Sequence, residues 1–372
     1  MAQLDRNSYL SKNVGDFPET TIINGREFVK VEDLRYGTNP HQPAAFYRPV
    51  DQETPIGSME ILKNGKSGLS QTNLEDISYA LNIVKFFETP CCAVMKHVNP
   101  SGAAVQRAGE SLCDVYKKAR DADARAAFGS AVAFNVKVDA ETAEEIMGTF
   151  VECVVAPDYD AEALETFNAG ERFKLNKHIR IIRCGDLTKL PRFVDDQTDI
   201  NANTVKILAD GSAVVAAPLL TALHSVSDIK KAEAENKRVG HQISEVDASD
   251  AQLADLLFAW YVNLNVRSNG VVIAANGQTL SVGTGEQDRV GAVEQAIIKF
   301  KEKYSGSETL EGSVMASDGF FPFPDGVETA AEAGITAIIA PAGSLRDADV
   351  IKRANELGCA LYHAPERIFS HH

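Results

Sequence analysis

The sequence contains no apolar run near the roughly 18 residues that a transmembrane helix requires. Its first twenty residues, MAQLDRNSYLSKNVGDFPET, also lack the apolar segment and cleavage site of a secretory signal. These absences argue against a membrane partner and predict a cytoplasmic protein.

Positive charge is scarce and scattered. The formal net charge is −15, and no block of lysine and arginine occurs anywhere in the 372 residues. This balance argues against nucleic acid as the main partner. An anionic small molecule stays compatible with it, because single arginines at loop ends can form a basic pocket on an acidic protein.

The six cysteines show no C-x-x-C spacing, and no H-x-E motif is followed by a cysteine pair. Zinc-deaminase chemistry therefore has no ligand set in this sequence. The cysteines lie mostly in apolar segments, so we expect reduced, buried thiols rather than disulfides or a metal site. They are Cys91, Cys92, Cys113, Cys153, Cys184 and Cys359.

What the chain does contain is a regular alternation of short apolar runs and longer helical patterns, which predicts a layered α/β fold. Two segments repeat one order of features: a strand with aromatics, a short helix containing ETA, an apolar strand ending in AP, and an acidic helix. We interpret this repeat as a duplicated subdomain. The alternative is that α/β units in general share this pattern.

An arginine and a tyrosine stand in a turning loop near the start, LRYGTNPHQPAAFY. Arg35 could bind a phosphate through its planar guanidinium, and Tyr36 offers a hydroxyl and an aromatic face. Taken alone, such a pair is more often structural, so both interpretations stay open at this point.

A lysine and a histidine end an apolar run in MKHVNPSGAA. The positive charge of Lys96 disfavours the imidazolium form of His97, which helps the histidine to accept a proton. The lysine itself could stabilise a developing oxyanion. The pair is either catalytic or a solvated strand end, and the local sequence does not decide between these.

Two further motifs lie in the second half. The segment RSNGVVIAANGQTLSVGTGEQDR places Asn269 before an apolar strand and Arg289 in the first turn of a helix that follows a glycine-rich loop, where backbone N–H groups can bind an anion. The segment SDGFFPFPDGV combines three phenylalanines with Asp318 and Asp325. The phenylalanines are either core residues or a surface for a flat heterocycle.

These motifs together resemble those of the 5-aminoimidazole-4-carboxamide ribonucleotide (AICAR) formyltransferase family, from about residue 30 to the C-terminus. The motifs that carry the resemblance, in chain order, are LRYGTNPHQ, KHVNPSGAAV, AFGSAVAFN, VAPDYDAEAL, RSNGVVIAANGQTLSVGTGEQDRV, SDGFFPFPDGV and AGSLRDADVI. The resemblance implies duplicated cytidine-deaminase-like α/β/α three-layer subdomains without zinc, and a homodimer with active sites between subunits. The expected boundaries are an N-terminal extension at 1–33, subdomains at 34–195 and 251–372, and a linker with a helical connection at 196–250.

The implied reaction transfers a formyl group from 10-formyltetrahydrofolate to the 5-amino group of AICAR in purine biosynthesis. The family's cyclohydrolase domain would precede LRYG, where only about 33 residues stand, so a transformylase without ring closure is expected. By position in the motifs, His97 would accept the proton of the amine and Lys96 would act at the formyl-transfer centre. Asn269 would hydrogen-bond the formyl oxygen or the carboxamide of the nucleotide.

The resemblance also assigns binding residues. Those implied for the nucleotide are Arg35, Tyr36, Phe128, Gly129, Arg289, Gly319, Phe320 and Arg367. Those implied for the folate are Glu152, Phe320 and Asp325. A monovalent cation near Asp318 and the C-terminus is a further family feature, although Gly270 and Val266 replace hydroxyl-bearing residues there.

The sequence departs from the family pattern at several positions. Asn265 stands where the family usually has lysine, Pro324 where it has arginine, and Gly319 where it has alanine. The first two changes remove positive charge that could meet the glutamate tail of a folate. The alternatives are therefore a transformylase that uses a different formyl donor and a catalytically weak nucleotide-binding relative.

Overall fold

A computed structural model describes residues 8–196 and 203–371 of the protein. Within them the chain forms two compact units, and each unit is built from two separate stretches of sequence. The first unit contains the described residues up to Lys85 and Gly129–Leu220, and the second contains Phe86–Phe128 and the residues from Thr221 onward.

The described residues contain strands and helices in alternation. The strands are β1 Thr20–Ile23, β2 Arg26–Asp33, β3 Ala45–Pro49, β4 Glu60–Lys63, β5 Cys91–Lys96, β6 Asn99–Val105, β7 Ser130–Phe134, β8 Val151–Ala156, β9 Arg180–Arg183, β10 Thr204–Ile207, β11 Ala213–Ala216, β12 Lys230–Lys231, β13 Glu233–Asn236, β14 Gly240–Ile243, β15 Val271–Ala275, β16 Gln278–Gly283, β17 Val314–Ser317, β18 Ala337–Pro341 and β19 Ala360–Ala364. The α-helices are α1 Gln71–Val84, α2 Leu112–Asp121, α3 Ala140–Met147, α4 Ala161–Asn168, α5 Asp250–Asn263, α6 Arg289–Lys303, α7 Asp325–Glu332 and α8 Asp347–Glu356.

The first unit is organised around three parallel strands in the order β7-β8-β9, with β4 antiparallel to β9. Strands β1, β2 and β3 form a separate antiparallel sheet, and β10 pairs with β11 in a hairpin. All five residues of β7 and five of the six in β8 are buried. Buried, mostly apolar runs of this kind are typical of parallel strands covered on both faces.

The second unit contains strands in the order β12-β19-β18-β17-β15-β16-β6-β5, and β13 pairs separately with β14. Strands β17, β18 and β19 are parallel, whereas β15, β16, β6 and β5 pair in antiparallel fashion. Its core packs the apolar residues of β15 and β18 against those of α6 and α8. Helix α5 begins at a capping box, in which Ser249 and Gln252 satisfy each other's backbone N–H groups.

The α/β prediction is confirmed. Each unit contains three parallel strands connected by two helices: β7, α3, β8, α4 and β9 in the first unit, and β17, α7, β18, α8 and β19 in the second. This agrees with the repeat seen in the sequence, while the cytidine-deaminase-like duplication stays a prediction.

The expected subdomain boundaries at 34–195 and 251–372 also stay a prediction. Residues 86–128, with β5, β6 and α2, lie in the second compact unit. Most of the expected linker at 196–250 is described, and it carries β10 to β14, but its residues 197–202 lie outside the described residues.

All six cysteines are buried, as their apolar segments indicated, and no disulfide joins them in the structure. Burial raises the pKa of the Cys91 and Cys92 thiols well above the ordinary value. In the described part of the chain, no three His, Cys, Asp or Glu side chains cluster so as to hold a metal ion. None of the described helices is both long and apolar enough to cross a membrane.

Gly102 of β6 lies where helix α2 approaches the sheet. A Cβ atom at this position would collide with the carbonyl oxygen of Ala119 and would lie 2.6 Å from the Cβ of Ala122. Because the collision involves helix backbone, we expect Gly102→Ala to lower the free energy of unfolding by about 1–3 kcal/mol. Urea denaturation measures this change. Gly148→Ala is the matched control, since a Cβ there meets no atom nearer than 3.2 Å, and equal stability of the two variants would contradict the prediction.

Lys85, directly after α1, is a buried amine whose Nζ donates to the carbonyl oxygen of Pro191. Burial lowers its pKa to about 7 from 10.5, opposed by the nearby charge of Asp196 and assisted by that of Arg192. At a pH between these two pKa values, Lys85 carries a proton in the unfolded chain but not in the folded chain. This group therefore makes the free energy of unfolding rise with pH, by about 1.4 kcal/mol per pH unit within that window.

We expect Lys85→Met to remove this rise. Urea denaturation at several pH values between about 7.5 and 9.5 measures it, because the slope of stability against pH reports the difference in bound protons. Lys174→Met, at an exposed position, should keep the wild-type slope. Parallel slopes for wild type and Lys85→Met would contradict the prediction.

Candidate functional site

The Lys-His pair lies at a tight turn in the second unit. Lys96 ends β5, Asn99 begins β6, and the two residues are cross-strand partners in the hairpin. His97 and Val98 form the connection with φ angles of 54° and 60°. Two positive φ angles are typical of the type I′ turn, whose twist suits a two-residue hairpin. The turn leaves His97 exposed and Lys96 half-buried, which makes both accessible to a substrate.

Asn99 connects this turn to two other segments of the same unit. Its Oδ1 accepts hydrogen bonds from the Arg267 backbone N–H at 3.0 Å and from the Thr284 hydroxyl at 2.6 Å. Its Nδ2 donates to the His97 carbonyl oxygen at 3.3 Å. Arg267 stands two residues before Asn269, so Asn99 links the two predicted catalytic segments.

Asn269 is held in a defined orientation. Its backbone N–H and its Nδ2 both donate to the Glu286 carbonyl oxygen at 3.0 Å, and its Oδ1 accepts from Arg289 Nη2 at 2.7 Å. The Ser268–Asn269 peptide bond is cis. An amide Nδ2 carries two N–H donors, and only one of them is used within the described residues. The second donor can bind an oxygen atom of a substrate.

Arg289 is the first residue of α6, as expected from the glycine-rich loop before it. It is buried and forms an ion pair with Asp318, which is itself fully buried. The other carboxylate oxygen of Asp318 accepts the Gly270 N–H at 2.9 Å. A buried charge pair is tolerated when its remaining hydrogen-bonding capacity is satisfied, and here that arrangement fixes the guanidinium beside Asn269.

Gly319 and the C-terminal segment complete this cluster. A Cβ atom at Gly319 would lie 2.5 Å from Arg289 Nη2 and 2.6 Å from the ring of Phe369. The guanidinium of Arg367 lies 4.4 Å from the centroid of that same ring, and Ile368 donates its N–H to the Asp318 carbonyl oxygen. Glycine is therefore required for the close approach of the arginine and the phenylalanine.

Phe320 and Asp325 follow this cluster in the chain. Phe320 is half-buried, and a Cβ at Gly343 would lie 3.5 Å from its ring. Asp325 is exposed at the start of α7, where its carboxylate accepts the N–H of Gly326. Both residues are accessible, which a role in binding a co-substrate requires.

A different cluster lies in the first unit around Arg35, which is only 6% exposed. Its guanidinium lies 4.7 Å from the centroid of the Tyr36 ring, and its Nη2 donates to Asn73 Oδ1 at 3.4 Å. Asn73 Nδ2 in turn donates to Glu152 Oε2 at 2.9 Å. Arg180 Nη1 lies 3.9 Å from the same Glu152 oxygen.

The helix cap of α1 positions Asn73. Asn73 Oδ1 accepts the Ser70 N–H at 3.1 Å, and Ser70 Oγ accepts the Asn73 N–H at 3.2 Å, which is a capping box with asparagine as its second member. The cap therefore both starts the helix and fixes an amide between Arg35 and Glu152.

The Arg35 cluster holds two buried guanidinium groups, those of Arg35 and Arg180, near the carboxylate of Glu152. Burial lowers the pKa of Arg35, and the positive charge of Arg180 lowers it further, while Tyr36 and Glu152 oppose the shift. Arg35 Nε is buried and makes no hydrogen bond within the described residues. A buried donor without a partner requires an explanation, and an anion bound here would accept from it.

Phe128 and Gly129 lie at the start of β7. Gly129 adopts a φ of 76° and donates its N–H to the Phe150 carbonyl oxygen. Phe128 is 57% exposed, which leaves its ring accessible.

The structure thus brings the expected residues together in two groups, each within one unit. The first contains Arg35, Tyr36 and Glu152, and the second contains Asn269, Arg289, Gly319 and Arg367. Four participants were missed by inspection of the sequence, namely Asn73, Asn99, Arg180 and Phe369. Asn73 had one detectable signal, since it follows Ser70 by three residues at the start of a helical pattern.

The fold and these two groups define an α/β protein with a buried arginine in each of two candidate sites. The family model described as the AICARFT/IMPCHase bienzyme matches residues 5–299. The chain belongs to this family, which confirms the resemblance found in the sequence.

Curated relatives support the same assignment. The bifunctional purine biosynthesis protein PurH of Nostoc punctiforme is 40% identical over 343 residues, which are 92% of this chain and 59% of that protein. PurH of Oceanobacillus iheyensis is 37% identical over 365 residues, covering 98% of this chain and 64% of the relative. PurH of Magnetococcus marinus is 39% identical over 363 residues, covering 96% and 62%. The chain therefore spans about three fifths of the length of these relatives.

Proposed function

We propose that the chain transfers a formyl group from 10-formyltetrahydrofolate to the 5-amino group of AICAR, giving formyl-AICAR and tetrahydrofolate in purine biosynthesis. The observation that carries the proposal is the connection, through Asn99, between the turn with His97 and the segment with Asn269. The proposed activity does not include ring closure to inosine monophosphate.

The amine of AICAR is a weak nucleophile because its lone pair is delocalised into the imidazole-carboxamide. We assign to His97 the removal of its proton as the nitrogen attacks the formyl carbon. The formyl oxygen then becomes an oxyanion, which the Lys96 ammonium and the second N–H of Asn269 Nδ2 stabilise. When the bond between the formyl carbon and N10 breaks, N10 takes up a proton from the imidazolium, which regenerates the neutral histidine.

The phosphate of the nucleotide is assigned to Arg35 and Tyr36, and Arg367 is assigned to the nucleotide without a stated group. The buried Arg35 Nε, which makes no hydrogen bond within the described residues, supports the phosphate assignment, since a phosphate accepts several charge-assisted hydrogen bonds. The remaining nucleotide contacts are assigned to Phe128, Gly129, Arg289, Gly319 and Phe320. The folate contacts are assigned to Glu152, Phe320 and Asp325.

We also propose a cytoplasmic homodimer with active sites between subunits, as the sequence resemblance implied. Light scattering on the purified chain tests the dimer. A monovalent cation at Asp318 is not part of the proposal. Both carboxylate oxygens of Asp318 are already engaged, one by Arg289 and the other by the Gly270 N–H.

Use of a different formyl donor is the second candidate. This alternative rests on the absence of positive charge at Asn265 and Pro324, where the family usually has lysine and arginine. Asn265 is fully buried, so a charge lost there leaves no gap on the accessible surface. The argument for another donor therefore depends on Pro324, which is half-buried next to the exposed Asp325.

A spectrophotometric assay with AICAR tests the function. Tetrahydrofolate should form with 10-formyltetrahydrofolate as donor, and no formyl-AICAR should form with formate plus ATP. The reverse result would support the alternative donor. Binding of AICAR without turnover on either donor would support the catalytically weak relative. Formation of inosine monophosphate above the uncatalysed rate would contradict a function limited to formyl transfer.

A further inference from the structure

We infer that Asn99 is a positioning residue, which holds the turn with His97 in register with the segment that carries Asn269. The inference rests on the proposed function for the roles of these two residues. The contacts of Asn99 are a separate observation.

The side-chain amide of Asn99 both accepts and donates hydrogen bonds. The oxygen accepts two hydrogen bonds, from the Arg267 N–H and the Thr284 hydroxyl, while the nitrogen donates one to the His97 carbonyl. Aspartate can reproduce the acceptor but not the donor, and alanine can reproduce neither. Asparagine therefore suits this position, because the junction between the turn with His97 and the segment with Asn269 needs both a donor and an acceptor.

The turn needs an external support. His97 and Val98 both have positive φ angles, a conformation that is uncommon for residues other than glycine and an outlier for a β-branched residue such as valine. Such a conformation persists where the surrounding structure holds it. The bond from Asn99 to the His97 carbonyl spans the two residues of the turn and supplies that support.

The other side of the junction is itself well anchored. Ser268 donates its N–H to the Ser370 carbonyl oxygen, and Gly285 donates its N–H to the Arg267 carbonyl oxygen at 2.9 Å. Asn269 is fixed by Glu286 and Arg289, as described above. Through its hydrogen bonds, Asn99 therefore connects the turn to this anchored segment.

The effect on catalysis follows from geometry. A proton acceptor and an oxyanion donor must face the same reacting carbon, and a displacement of about 1 Å can cost about 100-fold in rate. A residue that only stabilised the fold would lower the amount of active protein without changing the kinetic constants of the folded fraction.

The experiment compares Asn99→Asp with Asn276→Asp. Asn276 is exposed, also has a positive φ, 54°, and donates from its side chain to the carboxylate of the half-buried Glu308, so both variants replace an amide donor by a carboxylate. We expect Asn99→Asp to lower kcat about 10- to 100-fold with the KM for AICAR within about two-fold. Asn276→Asp should have the kcat of the wild type. Equal kcat in the two variants would overturn the inference.

Thr284 provides a rescue test for the same junction. Thr284→Val removes the hydroxyl that binds Asn99 Oδ1, whereas Thr284→Ser keeps it. We expect a lower kcat in the valine variant and recovery in the serine variant. A similar loss of kcat in both variants would indicate packing rather than the hydrogen bond, and would count against the inference.

Hydrogen exchange separates this inference from the proposed function. In Asn99→Asp the amides at 97–99 and 267–269 should exchange faster than in Asn276→Asp, whether or not the wild type transfers formyl groups. If wild-type protein shows no turnover but this exchange difference is present, the proposed function fails and the junction stands. Unchanged exchange at both segments overturns the junction itself.

Discussion

Replacing His97 by alanine should lower kcat for formyl transfer by about 100- to 10,000-fold, the range expected when a general base is removed. The imidazole lies exposed at the two-residue turn between β5 and β6, where no other residue of the turn can accept a proton from the amine. Binding of AICAR should change little, because the phosphate is assigned to Arg35. Steady-state kinetics and isothermal titration calorimetry measure the two effects separately.

The control for this variant is His241→Ala. His241 is also exposed and pairs with Glu233 on the β13–β14 hairpin. Its replacement therefore removes an imidazole without changing the proposed site. Its kcat should equal that of the wild type. A turnover in His97→Ala close to that of the control would exclude His97 as the base.

Replacing Arg35 by alanine should weaken the binding of AICAR about 10- to 100-fold, as expected for the loss of charge-assisted hydrogen bonds that contribute about 1.5–3 kcal/mol. Arg35→Lys should recover part of this affinity, because it restores the charge but not the planar guanidinium. Titration calorimetry with AICAR gives both dissociation constants.

The assignment of Arg35 to the phosphate is tested more sharply with the nucleoside of AICAR, which lacks the phosphate group. Wild type and Arg35→Ala should bind the nucleoside with the same affinity, so that the effect of the substitution appears only with the nucleotide. Arg183→Ala, which removes a partly exposed guanidinium paired with Glu60 and Asp158, should bind both ligands as the wild type does. An equal loss for nucleotide and nucleoside in Arg35→Ala would show that Arg35 acts on the structure of the site rather than on the phosphate.

Local sequence predicted the elements well where one physical rule dominates. The apolar run SAVAF is a buried strand, β7, because each of its residues can face a hydrophobic layer. Helix α6 begins at Arg289 after a glycine-rich loop, as that loop indicated. The apolar run correctly indicated strand β5, but NPSG does not form the turn that the sequence suggested: it begins β6, and the turn lies one step earlier, at His97 and Val98, whose positive φ angles were not predicted.

The candidate site was predictable only in part. Arg35, His97, Asn269 and Arg289 stand in motifs long enough to be compared with a family. Asn73 and Asn99 do not reveal their roles in this way, because an asparagine near a helix start or a turn is expected for local reasons alone. Their second hydrogen bonds reach residues far away in the sequence.

By itself, therefore, the sequence determined the α/β class and the family, because these depend on local periodicity and on contiguous motifs, and it supplied the reactive side chains that we propose. The tertiary structure alone decided that Asn73 joins Arg35 to Glu152, across 38 and 79 positions. It alone decided that Asn99 meets Arg267 across 168 positions. It also placed β5 and β6 in the second unit, through the pairing of β6 with β16. The reason is the same in each case: hydrogen bonds between distant residues depend on how strands and helices pack, and no local pattern in the chain specifies that packing.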